Sequence, residues 1–156
     1  MKLYCVRHAQ ALPAPDDNLR ELSPEGRLEA QNMANFLKLA QIKPSQIIHS
    51  CTTRTQTTAA IIGKTLGLDH ITPCATGINS EDNADDMIPV VQAWESDTMI
   101  ISHLPFIAHL VSKLVAHKDQ PNMIHYPPCT IVCLDHVHEN QWAFEWMLTP
   151  SLLNAE

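Results

Sequence analysis

Thr98-Met99-Ile100-Ile101-Ser102-His103-Leu104-Pro105 carries the strongest structural signal in the chain. The run from Thr98 to Ser102 is continuous, apolar and too short for a helix, so it predicts a strand covered on both faces, as in a parallel sheet. Pro105 then supplies a helix start, and Ile107, Leu110, Val111 and Leu114 recur at helical spacing on one inward face. Two polar side chains, Ser102 and His103, stand at the junction of strand and helix.

The same grammar repeats towards the N-terminus. Leu3 to Val6 is a short apolar run broken by Arg7-His8, a buried strand whose carboxyl end delivers two polar side chains. A loop follows with Pro13, Pro15, Asp16, Asp17 and Asn18. Ser23-Pro24-Glu25 then reads as N-cap, first-turn proline and first-turn acid, opening a helix that runs to about Gln41 with Leu28, Met33, Phe36, Leu37 and Ala40, before Pro44 forbids continuation. Gln46 to His49 is a second strand ending at Ser50, and Thr52 to Leu66 is a helix with Ala59, Ile62 and Leu66 on one stripe and Gly67 at the C-cap. His70 to Pro73 is a weak third strand. The polar stretch Ala75 to Asp86 reads as a loop and Met87 to Trp94 as a helix.

Beyond the Pro105 helix and a Pro-rich loop, Cys129 to Asp135 and Gln141 to Leu148 form two strands of a hairpin turning near Glu139-Asn140. Strands alternating with helices and closed by a hairpin predict a three-layer α/β/α sandwich around a mostly parallel, mixed sheet of about six strands. With 156 residues the chain has the length of one ordinary domain, and we expect a single domain over 1–156.

Charge and cysteine usage exclude several classes. Ten Lys and Arg against 17 Asp and Glu give a formal charge of -7, which repels nucleic acid and anionic membranes, so neither is an expected partner. No segment approaches a membrane-spanning length, and the opening residues lack a secretory apolar core. Five cysteines without a CxxC pair indicate neither a disulfide framework nor a zinc knuckle, and a cytoplasmic location is expected.

In an open parallel sheet, ligands bind beyond the carboxyl ends of the strands. Three predicted strands end there in polar groups: Arg7-His8, Ser50 with Arg54 one turn into its helix, and Ser102-His103. Guanidinium forks grip phosphate oxygens bidentately, and a neutral imidazole can attack phosphorus to form a covalent phosphohistidine that water then hydrolyses. Arg7, Arg54 and a protonated His103 would stabilise the equatorial oxygens of an in-line transition state. This is phosphoryl-transfer chemistry with no metal and no cofactor.

These residues resemble a known family. Arg7-His8-Ala9, the run Ser50-Cys51-Thr52-Thr53-Arg54-Thr55-Gln56-Thr57-Thr58-Ala59 and the pair Ser102-His103 are similar, in order, to the signature blocks of the histidine phosphatase superfamily, related to phosphoglycerate mutases. Ile101-Ser102-His103-Leu104-Pro105, the early stretch from Asp17 through Arg20-Glu21-Leu22-Ser23-Pro24-Glu25-Gly26 and the short length resemble the SixA-like phosphohistidine phosphatases in particular. The resemblance implies a phosphoglycerate mutase-like fold, His8 as nucleophile, Arg7 and Arg54 on the phosphate, His103 as second pocket histidine, and Arg20 and Ser102 as substrate-binding residues. It also implies a phosphohistidine-bearing partner, such as the phosphotransfer domain of a bacterial signalling relay, met by a monomer. The family usually places glycine after the nucleophile, where this chain has Ala9.

Larger relatives supply a glutamate as general acid from an insertion that this chain lacks. The candidates here are Asp17, Glu81 and Asp82, with Asp16, Asp85 and Asp86 nearby, and no motif fixes a role for any of them. An alkoxide leaving group without an acid loses about two to four orders of magnitude in rate. An imidazole, with a conjugate-acid pKa of ~6.5, can depart neutral, which favours a nitrogen–phosphorus substrate. The alternatives are a general phosphatase for small phosphate esters and a non-catalytic phosphoprotein-binding module, which would need the arginines but not His8. An open, shallow pocket is expected for a protein-borne phosphate.

Two further patterns are set aside. Gly63-Lys64-Thr65 imitates the end of a phosphate-binding loop, but the first glycine would fall at Thr58 and the run lies in a helix. His136-x-His138 lacks a third ligand at a telling spacing, and Cys51 reads as a small residue beside the pocket.

Overall fold

Apolar residues on alternate sides of the same strands create two cores. In the computed structural model, which describes residues 1–73 and 75–153, β1 (Lys2–Arg7) sends Leu3 and Cys5 to one face and Tyr4 and Val6 to the other. Likewise β4 (Thr98–Ser102) divides Ile100 from Met99 and Ile101. A strand that must satisfy two apolar layers has no alternation to display, which is why these runs are continuous in sequence.

One core is covered by α3 (Ala84–Gln92) and α4 (Phe106–Ala116). The other is covered by α1 (Pro24–Leu39), α2 (Thr53–Leu66) and the short α5 (Pro150–Leu153). With β2 (Gln46–His49), β3 (Ile71–Thr72), β5 (Ile131–His138) and β6 (Gln141–Leu148), the strands form one six-stranded sheet in the order β3-β2-β4-β1-β5-β6. The first four are mutually parallel, and β5 and β6 run antiparallel to their neighbours. The expected sandwich and its mixed sheet are therefore present.

Adjacent β1 and β4 lead into helices on opposite faces of the sheet, α1 and α4. Their carboxyl ends thus diverge and open a crevice of the kind that binds ligands in such sheets. The helix starts are set locally. Ser23 accepts a hydrogen bond from the Gly26 amide at 2.9 Å with Pro24 in the first turn, and Thr52 caps α2. Gly26 packs so closely on the loop after β1 that an added Cβ would lie 2.2 Å from the Gln10 carbonyl oxygen. This contact moors the start of α1 beside the segment following His8.

Several features differ from the sequence expectation. Helix α3 starts at Ala84 rather than Met87, because Asn83 caps it through the Asp85 amide and the acids Asp85 and Asp86 suit a helix N-terminus. Cys129 lies outside the strand assigned to it: it adopts φ 60° just before β5. The short α5 was not foreseen. Cys51 is disulfide-bonded, which the odd cysteine count did not signal, whereas Cys5, Cys129 and Cys133 are free and buried. Gly63 lies inside α2, as expected, and His136 stacks on Trp142 at 4.5 Å. Among the described residues no helix is long and apolar enough to cross a membrane.

Candidate active site

The pairing of β1 with β4 puts Arg7 opposite Ser102, and the His8 amide donates to the Ser102 carbonyl at 3.0 Å. On the other side of β4, the Ser50 amide donates to the Ile101 carbonyl at 3.2 Å. Arg54 follows in the first turn of α2. Sheet register therefore brings Arg7, His8, Ser50, Arg54 and His103 to one crevice, with the rings of His8 and His103 5.2 Å apart.

His8 is 8% exposed, and its Nδ1 lies 2.7 Å from the Ala9 carbonyl oxygen. A carbonyl can only accept, so Nδ1 carries the ring proton and Nε2 keeps its lone pair. Burial, reinforced by His103, Arg54 and Arg7, pushes the imidazole pKa down to about 3 against the opposing pull of the Ala9 bond. The ring is neutral at physiological pH and presents a nucleophilic nitrogen.

Nε2 of His103 is 2.5 Å from the Ser50 hydroxyl, which is 3.1 Å from Oγ1 of Thr55. Thr55 directs its own proton to the main-chain carbonyls of Ser50 and Thr52, at 2.8 and 2.9 Å. Ser50 therefore donates to Thr55 and accepts from His103, which places the ring proton on Nε2 and leaves the lone pair on the buried, unpartnered Nδ1. Burial and the charges of Arg54 and Arg7 push the His103 pKa down to about 4, with Asp17 opposing. The protonated His103 expected from sequence is thus not the resting form. A dianionic phosphate brings the negative charge that favours it.

Both arginines are held at their tips. Arg7 donates from Nη1 to the Tyr126 carbonyl at 2.8 Å, and the buried Tyr126 hydroxyl is tied to the Cys5 carbonyl at 2.5 Å. Arg54, 5% exposed, donates from Nη1 to the main-chain oxygen of Asp17 at 2.6 Å and from Nη2 to its Oδ2 at 2.9 Å. In each case the buried Nε has no partner. An unpaired buried donor costs about 1–3 kcal/mol, and an anion accepting from these N–H groups removes that cost. Together with the His103 Nδ1 lone pair, these two Nε groups make up three of the five buried, unpartnered side-chain polar atoms among the described residues.

The remaining sequence candidates are placed differently. Ser102 is fully buried and its hydroxyl donates to the Ile78 carbonyl, so it positions the strand end and is not free for a substrate. Arg20 donates to the Leu12 carbonyl at 3.0 Å and to Asp17 Oδ1 at 3.3 Å. Asp17 is an anion between two arginines, and Arg54 above all holds its carboxyl below the usual range, which removes the proton a general acid needs. Asp82 accepts from the Asn79 amide at 2.7 Å, and Glu81 is exposed without a side-chain hydrogen bond or ion pair among the described residues. Among the described residues neither makes a hydrogen bond or ion pair to the arginines or histidines of the crevice.

Three supporting groups escaped the sequence reading. Thr55 was visible only as part of a motif block. The Tyr126 contribution is a main-chain carbonyl, for which no side-chain signal exists. Thr58 accepts from the Ala9 amide at 3.1 Å and donates to the Arg54 carbonyl at 2.7 Å, stitching the loop after His8 to α2. Beside Arg7 an open groove of about 550 Å³ is lined by Leu104, Ala108, Ile124, Tyr126 and Pro127 among others, so the buried reactive groups adjoin a broad apolar surface.

Residues 3–74, which hold His8 and Arg54, match the model of the histidine phosphatase superfamily (branch 1). Phosphohistidine phosphatase SixA of Escherichia coli (strain K12) is 27% identical over 159 residues, covering 96% of this chain and 94% of that one. The chain is thus similar to the histidine phosphatase superfamily, most directly over the segment that holds His8 and Arg54. The fold of this chain is that of the protein histidine phosphatase SixA solved with tungstate, with a TM-score of 0.90 at 24% identity and coverage of 99% and 100% of the two chains. It is also similar to the putative phosphohistidine phosphatase SixA from Agrobacterium tumefaciens (TM-score 0.80, 21% identity, 96% and 97% covered).

Ala9, where the family usually has glycine, is accommodated without strain. It is fully buried, and among the described residues the non-glycine positions with positive φ are Gln41, His117 and Cys129. The chain does not use the left-handed conformation at that position, so a methyl group fits.

Proposed function

We propose that this chain is a histidine phosphatase that hydrolyses phosphohistidine on a partner protein through a covalent phospho-His8. The observation that carries the reading is the 2.7 Å hydrogen bond from His8 Nδ1 to the Ala9 carbonyl, which leaves Nε2 unprotonated beside two arginines. In the first step the Nε2 lone pair forms a bond to phosphorus while the phosphorus–nitrogen bond of the substrate breaks, and its electron pair stays on the departing imidazole. In the second step water adds to phosphorus, the bond to Nε2 breaks, and inorganic phosphate leaves with His8 neutral again. Arg7, Arg54 and a His103 that gains a proton as phosphate binds stabilise the oxygens in both transition states.

Two features support an N–P substrate on a protein. Among the described residues no protonated carboxyl group is bonded to the crevice at neutral pH, since Asp17 is ionised and neither Glu81 nor Asp82 bonds to the reactive groups. A departing imidazole needs less acid assistance than an alkoxide. The groove beside Arg7 offers room and apolar surface for a phosphohistidine-bearing domain, and the similar SixA of Escherichia coli carries the name of a phosphohistidine phosphatase.

Brief mixing with a labelled phosphohistidine protein, quenched without acid, tests the reading. Label is expected on the wild-type chain and absent from His8→Ala. Rapid ester hydrolysis with no turnover of any phosphoramidate would establish a small-ester phosphatase instead. Tight phospho-dependent binding without phosphate release would establish a binding module.

A further inference from the structure

Asp17 is joined to Arg54 twice, once by main chain and once by side chain. Resting on the reading of His8 as the phosphoryl acceptor, we propose that Asp17 is a positioning residue that clamps both terminal nitrogens of Arg54 and so points its Nε–H at the phosphate. A guanidinium on a flexible stem has many orientations, and the one held here satisfies both tips while Nε stays buried and unpartnered. The clamp itself is braced. Oδ1 of Asp17 accepts from Arg20, whose Nε is pinned to the Leu12 carbonyl, so each carboxylate oxygen takes one arginine. The turn presenting Asp17 is closed by Asp16, whose Oδ1 accepts from the Asn18 amide at 2.9 Å and whose carbonyl accepts from the Leu19 amide at 3.1 Å.

Two other roles fit the geometry less well. A general acid would have to carry a proton on an oxygen that accepts from Arg54 or Arg20, breaking the contact that holds it. A carboxylate that merely competes with phosphate would swing away on binding, but the 2.6 Å bond to Arg54 Nη1 comes from the main chain of the turn and does not depend on the side-chain rotamer. Arg7 shows the same design with a different clamp: Nη1 on the Tyr126 carbonyl and Nε left unpartnered. The two arginines thus offer matching N–H edges, one set by Asp17 and one by Tyr126.

Nitrogen-15 side-chain spectra of the full chain, titrated with inorganic phosphate, test this with Asp17→Asn, Asp17→Glu and Asp17→Ala. The wild type should show sharp Nε–H signals for Arg7 and Arg54, both moving with phosphate. In Asp17→Asn and Asp17→Ala the Arg54 signal should broaden while that of Arg7 stays sharp, with Asp17→Glu intermediate. Turnover in Asp17→Asn should fall about tenfold to a hundredfold, equally for phosphates with good and poor leaving groups, because a misplaced donor affects every substrate. An Arg54 signal as sharp in Asp17→Asn as in the wild type would overturn the proposal, as would a loss confined to poor leaving groups, the mark of a general acid. If the spectra behave as expected but wild-type His8 takes no label, the clamp stands and the functional reading fails.

Discussion

The Ser50 hydroxyl accepts from Nε2 of His103 at 2.5 Å and passes its own proton to Thr55, so the tautomer of one histidine is set by the end of a neighbouring strand. Ser50→Ala removes the side-chain hydrogen-bond partner of a ring whose other nitrogen has none. A buried polar group left unpaired costs about 1–3 kcal/mol, so urea unfolding should show a loss of that size. Turnover should fall at least tenfold, since His103 can then adopt the other tautomer. An unchanged rate would show that the tautomer is immaterial.

Arg54→Lys tests the planar fork. One ammonium cannot hold both Asp17 oxygens and also direct a donor from the middle of the side chain. Steady-state kinetics should show kcat/KM reduced about a hundredfold, on the scale of a lost charge-assisted pair, with the melting temperature little changed. Retention of more than half the wild-type value would remove Arg54 from the phosphate.

Ala9→Gly restores the residue usual in the family. Because Ala9 is buried and does not use positive φ, glycine adds no needed conformation and costs about 0.5–1 kcal/mol in chain entropy. Activity should stay within about threefold of wild type. A large gain would mean that the methyl group distorts the pocket.

Stability should decline in mild acid for a specific reason. His8 and His103 are pushed down to about 3 and about 4 from an ordinary 6.5. Between those values the unfolded chain binds more protons than the folded one, so the full stability is present above about pH 6.5 and is lost as pH falls. Each histidine contributes a slope of up to roughly 1.4 kcal/mol per pH unit. Urea midpoints between pH 7 and pH 5 should fall accordingly, and His8→Gln should flatten the trend. An identical slope in His8→Gln would show that His8 is not buried neutral.

Most of the fold was legible because the strands are short apolar runs ending in polar pairs and the helices begin at Ser23-Pro24 and after Thr52. Both signals are local, set by backbone propensity and capping. The early start of α3 was missed because an acidic first turn looks like loop until Asn83 is seen to cap it. The setting of Ser102 is hidden from the sequence for a different reason. A serine at a strand end looks available, and only the packing of the 78–79 segment over it shows that its proton is already taken.

What the sequence by itself determined is the set of chemical groups: an arginine and a histidine ending β1, an arginine opening α2 and a histidine after β4, together with the sheet that carries them to one edge. That much follows from periodicity and residue type, which are properties of neighbours along the chain. Only the tertiary structure decided the state of those groups. The neutral ring of His8, the tautomer of His103, the charged Asp17 and the free Nε edges of Arg7 and Arg54 depend on burial and on carbonyls brought from distant segments such as Tyr126 and Asp17. Protonation and hydrogen-bond direction answer to the local field and the nearest acceptor in space, and a linear pattern specifies neither.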